Sequence, residues 1–226
     1  MNSKFSLIVP AAGNAKEATL LPKIFMLDNE GVMLCVKSIL GIRPEKFSDI
    51  VFTVLKSHVQ NFDVDSLLKL QFKRLGLDNA RIVILEEPTR TQSETIATTI
   101  NRCNIEGSVF FKDADCYFEA EIYPENGVAV CPLESLPLVD PRNKSYVAVD
   151  DMEHITNIIE KRIINNLFNA GGYCFENAQD FLTAYDKYSA LGNIYLSHII
   201  YGMLLEGHSF RPIPITHYSD FSLLPG

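Results

Sequence analysis

The first half of the chain alternates short apolar runs with segments of helical periodicity. The β-type apolar runs, bounded by polar residues, are residues 5–9, 49–55, 80–85 and 108–112. The helix-type segments between them are residues 32–40, 64–75 and 93–103. Strands that alternate with helices predict right-handed crossovers and a mainly parallel sheet flanked by helices.

The second half has a different order of elements. Its predicted strands are residues 128–131, 145–149, 155–161 and 167–175. Two predicted helices and a last strand follow, at residues 178–188, 194–206 and 210–217. Because no internal repeat and no linker rich in Pro, Gly or Ser interrupts the pattern, we expect residues 1–226 to form a single α/β domain.

Composition narrows the class of protein. The chain has 226 residues, of which 47% are hydrophobic and 21% charged, as in ordinary globular domains. Its net charge of -8 argues against a general nucleic-acid or membrane-surface binder, and no apolar stretch approaches the ~20 residues of a membrane span. Five scattered cysteines without a C-x-x-C pair indicate reduced thiols, so we expect a cytoplasmic protein. The sequence leaves homo-oligomerisation open.

The turn after the first strand is a candidate ligand site. The segment Pro10-Ala11-Ala12-Gly13-Asn14 leaves a nearly bare backbone at a strand's carboxyl end, with Lys16 and Lys23 close by in sequence. Exposed N–H groups and small side chains at such a place suit an anionic or flat ligand of nucleotide size. An ordinary loop after a buried strand is the alternative.

A second candidate follows the fourth strand. Asp113 and Asp115 place two carboxylates on one face of an extended segment. Ligands of open parallel sheets bind outside the carboxyl ends of the strands, and Mg²⁺ is held there by one or two carboxylates together with phosphate oxygens. A solvated turn would also use aspartates, so both interpretations stand at this point.

Segments spread over nearly the whole chain resemble the sugar-phosphate nucleotidyltransferases. These enzymes of GT-A-like, Rossmann-like fold join a nucleoside triphosphate to a sugar phosphate and release pyrophosphate. The segments are Pro10-Ala11-Ala12-Gly13, Pro22-Lys23, Gln92-Ser93-Glu94-Thr95, Phe111-Lys112-Asp113-Ala114-Asp115, Ser145-Tyr146-Val147, Ile159-Glu160-Lys161, Gly171-Gly172-Tyr173-Cys174-Phe175 and Tyr218-Ser219-Asp220-Phe221. The resemblance implies one domain in which residues 1–118 bind the nucleotide and residues 119–226 bind the acceptor.

The resemblance also implies roles for individual residues. The catalytic residues would be Lys23, Asp115 and Lys161, and a Mg²⁺ or Mn²⁺ ion would be held by Asp115 and Asp220. The nucleotide-binding residues would be Ala11, Ala12, Gly13, Asn14, Lys16, Gln92 and Thr95. The acceptor-binding residues would be Glu160, Lys161 and Gly172. The implied partners are a nucleoside triphosphate and a small phosphorylated acceptor, with the product serving as a precursor of capsule or surface polysaccharide.

The opening signature departs from the family pattern. Ala15, Lys16 and Glu17 stand where the family has a glycine, a small hydroxyl residue and an arginine that grips the triphosphate. A glutamate repels phosphate, and a lysine lacks the bidentate fork of arginine. Two alternatives therefore stay open. One is a nucleotidyltransferase-like binding protein without catalysis, and the other is a glycosyltransferase whose D-x-D motif is Asp113-Ala114-Asp115.

Overall fold

The computed structural model of the chain describes residues 4–13, 20–135 and 141–223. Its strands are β1 (Phe5–Pro10), β2 (Asp49–Leu55), β3 (Ala80–Leu85), β4 (Ser108–Lys112), β5 (Cys116–Glu119), β6 (Gly127–Pro132), β7 (Tyr146–Val149), β8 (Ile155–Ile159), β9 (Leu167–Phe175), β10 (Arg211–Pro214) and β11 (Thr216–Asp220). Its α-helices are α1 (Leu34–Leu40), α2 (Lys56–Phe62), α3 (Val64–Leu75), α4 (Gln92–Cys103), α5 (Ala178–Ser189) and α6 (Leu196–Leu205).

Most of the strands form one large sheet. Its order is β10-β6-β9-β4-β1-β2-β3, and β7 joins β9 and β8 at one side. The strands β3, β2, β1 and β4 are parallel, whereas β9 runs antiparallel between β4 and β6. This confirms the predicted single-domain α/β fold with a mixed, mainly parallel sheet flanked by helices.

Both faces of the sheet are buried, because side chains of β1 alternate between two apolar layers. Leu7 and Val9 pack in a core with α1 and α3, through residues such as Val36 and Leu68. Ile8 points to the opposite face and packs in a core with α4, α5 and α6. Buried parallel strands are covered on both faces in this way, which explains why the strand runs are continuously apolar rather than alternating.

The strand order reverses next to β1. The chain moves from β1 to β2 and β3 on one side, then returns through α4 to β4 on the other side of β1. The helix α4 lies on the face opposite α1 and α3, as right-handed crossovers require when the direction reverses. In open α/β sheets this reversal opens a crevice outside the carboxyl ends of the two strands, which here belong to β1 and β4.

The prediction of one strand over residues 210–217 is wrong, because the structure has two separate strands there, β10 and β11. The edge strand β10 contains Pro212 and Pro214, which cannot donate a backbone hydrogen bond, and the large sheet ends there. The chain continues as β11, which pairs antiparallel with β5 in a separate two-stranded ribbon. Periodicity did not predict β5 or α2. The ribbon matters because it carries Asp220 back to Cys116, beside the end of β4.

Two smaller observations complete the fold. All five cysteines lie within the described residues and are free, and four of them are buried. Among helices in the described ranges, none is both long enough and apolar enough to cross a membrane.

Candidate functional site

The crevice at the strand reversal contains a cavity of about 520 Å³, which we call cavity A. Its walls come from the carboxyl ends of β1 and β4, from α2, and from the loop that joins β3 to α4. Ala11 and Gly13 line it, and a Cβ added at Gly13 would meet no atom within 4 Å. The backbone at Gly13 is therefore accessible from cavity A.

The other residues of the opening turn are placed differently. Ala12 is absent from the described lining of cavity A and packs instead against Leu55 and Leu85. The N–H of Ala11 donates to the carbonyl of Thr53 at 2.8 Å, so this donor is already used within the sheet. Asn14 and Lys16, both predicted to bind the nucleotide, lie outside the described residues, as do Ala15 and Glu17.

Lys23 lies at the edge of cavity A. It begins the short 3-10 turn Lys23–Phe25, between Pro22 and Ile24, and both of these neighbours line the cavity. The Lys23 side chain is half-buried and does not itself appear among the described lining residues. Its two neighbours in sequence, but not Lys23 itself, therefore border the ligand space.

The start of α4 forms another wall of cavity A. Thr91 caps the helix by accepting a hydrogen bond from the N–H of Glu94 at 3.2 Å, which fixes the first turn. Gln92 and Thr95 then face the cavity, and the Thr95 hydroxyl is 2.5 Å from the Thr89 hydroxyl. The structure thus brings Gln92 and Thr95 together with the end of β1, although they are about 80 residues apart in sequence.

A second cavity, cavity B, lies next to cavity A and has a volume of about 190 Å³. Its walls are mostly polar and come from β5, β9, the starts of β7 and α6, and the ribbon strand β11. Cavities A and B share the residues Gln92, Asp113 and Asp115. The two aspartates after β4 therefore stand at the junction of two ligand-sized spaces.

A buried lysine holds the backbone that carries the two aspartates. The Lys112 side chain is fully buried, and its ammonium donates to the carbonyls of Asp113 at 2.9 Å and Cys116 at 2.8 Å. It also lies 3.1 Å from the Cys116 sulfur and 4.5 Å from the centre of the Phe118 ring. These contacts join both ends of the turn, so the buried ammonium holds the backbone of residues 113–116 in one conformation.

Asp113 is held from two sides. Its Oδ1 accepts a hydrogen bond from the Gln92 amide at 2.6 Å, and its N–H donates to the carbonyl of Gly171 at 2.9 Å. A Cβ on Gly171, whose φ is +84°, would lie 2.6 Å from Oδ2 of Asp113. Burial, and then the negative charge of Asp115, raise the pKa of Asp113 to about 6.

The backbone segments that carry Asp115 and Asp220 lie next to each other. β11 places Asp220 opposite Cys116, and the N–H of Phe221 donates to the carbonyl of Asp115 at 2.8 Å. The Asp115 side chain is exposed, and within the described ranges no hydrogen bond or ion pair engages its carboxylate. A pair of carboxylates with room for phosphate oxygens fits Mg²⁺ or Mn²⁺. The described residues contain no group of three or more such ligands.

Glu160 is anchored at cavity B. Its Oε2 accepts hydrogen bonds from the hydroxyls of Ser145 and Ser197, both at 2.7 Å. Lys161 lies at the rim, outside the described lining, where its ammonium is 3.3 Å from the Tyr195 hydroxyl. The predicted strand 155–161 ends at Ile159, and Lys161 adopts a left-handed φ of 55°.

Gly172 is not beside the acceptor space, contrary to the prediction. A Cβ at Gly172 would lie 2.8 Å from the ring tips of Phe110 and Phe118, so this residue faces the apolar core. Successive residues of a strand point to opposite faces, and the glycine that lines cavity B is its neighbour Gly171. The two adjacent glycines could not be distinguished from the sequence because the register of β9 was unknown.

Sequence reasoning missed the three basic residues in the described linings of the cavities. His58 and Arg90 line cavity A, and Lys144 lines cavity B. His58 is buried, its Nδ1 accepts the N–H of Leu55 at 3.4 Å, and burial lowers its pKa. His58 and Arg90 follow the carboxyl ends of β2 and β3, so the strand-end rule could have identified them. Lys144 precedes β7 and has no comparable signal.

Comparison with known proteins supports the fold. The sequence matches no family model, and no curated protein is significantly similar to it. Among solved structures, the nucleoside-diphosphate-sugar pyrophosphorylase from Vibrio cholerae RC9 superposes with a TM-score of 0.76 at 19% identity, covering 93% of this chain and 92% of that chain.

Two further structures superpose to a similar extent. The inositol-1-phosphate CTP transferase from T. maritima has a TM-score of 0.72 at 16% identity, covering 96% of this chain and 89% of that chain. A UDP-glucose pyrophosphorylase complexed with UDP-glucose has a TM-score of 0.71 at 11% identity, covering 96% of this chain and 92% of that chain. The chain therefore has the fold of the sugar-phosphate nucleotidyltransferases, which confirms the resemblance found in its sequence.

Proposed function

We propose that the protein is a nucleotidyltransferase that joins a nucleoside triphosphate to a sugar phosphate, or to another small phosphorylated metabolite, with release of pyrophosphate. One observation carries the proposal: two ligand-sized cavities meet at Asp113 and Asp115, directly outside the strand reversal of the sheet. A transfer between two substrates needs two adjoining sites with the charge-bearing groups at their junction.

The polarity of the two cavities suggests which substrate binds in each. Cavity A is larger, is lined by Ala11 and Gly13 and includes the apolar side chains of Pro22 and Ile24, which suits a nucleotide base and sugar. Cavity B is smaller and lined by hydroxyl, amide and carboxylate groups, which suits a compact polyhydroxylated acceptor. We assign the nucleotide to residues 1–118 and most of the acceptor site to residues 119–226.

The chemistry is phosphoryl transfer between two anions. An acceptor phosphate must approach an α-phosphate, so the site has to offset the repulsion of like charges and hold the two groups in line. Asp115 and Asp220 would hold Mg²⁺ or Mn²⁺, which when bound would neutralise phosphate charge. Lys23 and Arg90 lie where they could reach a triphosphate in cavity A.

Two groups position the reacting centre without touching phosphate themselves. Gln92 holds the carboxylate of Asp113, and Lys112 holds the backbone on either side of Asp115. Because both contacts are already formed in the structure, the carboxylate of Asp113 and the backbone that carries Asp115 are oriented before substrate binds. A product of this kind would serve as an activated precursor of capsule or surface polysaccharide.

The test is a pyrophosphate-release assay on the purified protein. Each of CTP, UTP, GTP, ATP and dTTP would be incubated with Mg²⁺ and a panel of hexose 1-phosphates, inositol phosphate and phosphorylated amino alcohols. We expect release that needs both a triphosphate and an acceptor, and that stops when the metal is chelated. Release without any acceptor would indicate hydrolysis, and no release with any pair would contradict the proposal.

A further inference from the structure

Lys144, which lines cavity B, forms an ion pair with Asp220, the carboxylate that we propose as a metal ligand. The Lys144 ammonium lies 2.8 Å from Oδ2 of Asp220 and 2.7 Å from the Tyr218 hydroxyl oxygen. The exposed fractions of the Lys144 and Asp220 side chains are 19% and 13%, so solvent screens this ion pair only weakly. The ring of Tyr218 lies close to the ammonium as well, at 5.3 Å from its centroid.

The backbone that carries this carboxylate lies next to that of the other proposed metal ligand. The ribbon of β5 and β11 sets Asp220 opposite Cys116, and Phe221 is hydrogen-bonded to the carbonyl of Asp115. A divalent cation shared by Asp115 and Asp220 would meet a carboxylate that Lys144 already neutralises. An ammonium and a divalent cation on the same carboxylate repel each other, so each weakens the binding of the other.

Lys144 is also well placed for an anion. Of the described residues that line cavity B, it alone carries a positive charge, whereas Asp113, Asp115 and Glu160 carry carboxylates. Lys161, implied by the family resemblance to meet the acceptor phosphate, is exposed at the rim with its ammonium over the Tyr195 ring. The flexible four-carbon stem of a lysine allows its ammonium to move between neighbouring anions.

We infer that Lys144 competes with the divalent metal for Asp220 and, once released, binds the phosphate of the acceptor in cavity B. The inference rests on the proposed function, because it takes the metal site and the acceptor site from it. It adds a coupling between the metal site and the acceptor site. Metal binding at Asp220 releases the Lys144 ammonium, which then binds the acceptor phosphate. By linkage, an acceptor phosphate that holds Lys144 strengthens metal binding by the same factor.

The first test measures Mn²⁺ binding to the full chain without nucleotide, from the electron paramagnetic resonance signal of free Mn²⁺. We expect Lys144→Met to bind Mn²⁺ about fivefold more tightly than the wild type, since an ion pair that must break weakens the competing ligand by a factor of this order. Lys161→Met is the matched control and should leave the affinity unchanged. Structural damage would weaken metal binding, so a gain reports the loss of the Lys144 charge beside Asp220.

Equal or weaker Mn²⁺ binding by Lys144→Met would overturn the inference, as would a wild type that binds no Mn²⁺. Lys144→Gln is a second variant that removes the charge, and it should show the same gain in Mn²⁺ affinity. The thermal midpoints of both variants are measured first, to verify that each is folded. This test needs no turnover. A protein that shows the gain but never releases pyrophosphate would disprove the proposed function while leaving the competition established.

The second test uses inorganic phosphate as the probe, at saturating Mn²⁺, with the thermal midpoint as the readout. We expect phosphate to bind Lys144→Met at least about fivefold more weakly than the wild type, because the only described cation of the cavity lining is gone. Unchanged phosphate affinity in Lys144→Met together with a loss in Lys161→Met would assign the phosphate to Lys161 and overturn this half of the inference.

Discussion

At the scale of single residues, the least expected feature is the fully buried Lys112. A lysine is rarely buried without partners, because the loss of hydration around an ammonium must be offset by good hydrogen bonds. Here the partners are the carbonyls of Asp113 and Cys116, and the Phe118 ring covers the ammonium on one side. The sequence presented Lys112 only as the last residue of a strand, so this role became visible with the structure.

Replacing Lys112 should destabilise the fold. In Lys112→Met two buried carbonyls lose their charged donor, and we expect the free energy of unfolding to fall by about 2 to 4 kcal/mol. Urea unfolding measures the change. The exposed Lys73 of α3 provides a control, because Lys73→Met should change the value by less than about 0.5 kcal/mol. A loss for Lys112→Met no larger than that of the control would refute the supporting role.

Asp115 should matter for chemistry and little for stability. Its carboxylate is exposed and lies at the junction of cavities A and B. We expect Asp115→Asn to reduce turnover by about a hundredfold to a thousandfold, since removing one stabiliser of transition-state charge costs ~10²–10³. The thermal midpoint should change by no more than about 2 °C. Asp151→Asn, in the turn between β7 and β8, is the control.

Turnover by Asp115→Asn close to the wild-type value would exclude Asp115 as a metal ligand. A large drop in the thermal midpoint together with lost activity would instead indicate that the substitution damages the turn held by Lys112.

At the scale of elements, β9 contributes both to the wall of cavity B and to the apolar core. Its residues Gly171 and Gly172 are adjacent, yet the first faces Asp113 in cavity B and the second faces the apolar core. Gly171 also has a positive φ, which removes it from the regular pleat of the strand. The conformation of this one residue lets β9 approach the aspartate turn closely.

Gly171→Ala should therefore impair both stability and activity. The new Cβ would lie 2.6 Å from Oδ2 of Asp113 and would push this carboxylate away from Gln92. Gly76→Ala is a matched control, because Gly76 also has a positive φ but no atom within 4 Å of an added Cβ. We expect Gly76→Ala to lose about 1 kcal/mol from backbone strain, and Gly171→Ala to lose more than this because of the added clash and to lose turnover as well.

Steady-state kinetics and urea unfolding of the two variants decide this prediction. If Gly171→Ala and Gly76→Ala lose the same stability and keep the same turnover, the contact between β9 and Asp113 has no catalytic importance.

Elements of the first half could be predicted because local patterns determine them. The runs at β2, β3 and β4 are apolar, β-branched and bounded by polar residues, and the structure has them at the predicted bounds. The failures lie where tertiary pairing decides. β5 is a four-residue strand that forms only because β11 returns to it, and the break after β10 depends on its position at the sheet edge.

At the scale of the whole molecule, the position of the site followed from the order of elements, but its detailed composition did not. Strand ends bring Ala11, Gln92 and Asp113 to one crevice, which the alternation of strands and helices already implied. Lys144 and Glu160 reach cavity B through β7, β8 and α6, whose packing has no periodic signature. Lys144 could be assigned a role only once its distance to the Asp220 carboxylate was known.

The measurement that tests the central claim most directly is a thermal-shift screen of the wild-type protein against CTP, UTP, GTP, ATP and dTTP, each with and without Mg²⁺. A ligand that binds only the folded state raises its stability by RT ln(1 + [L]/Kd). We predict a rise in the thermal midpoint that depends on Mg²⁺ and is largest for one triphosphate, because cavity A and the carboxylates of Asp115 and Asp220 act together. No rise with any of the five, with or without Mg²⁺, would contradict nucleotidyl transfer and favour a binding protein that has kept the fold without its triphosphate site.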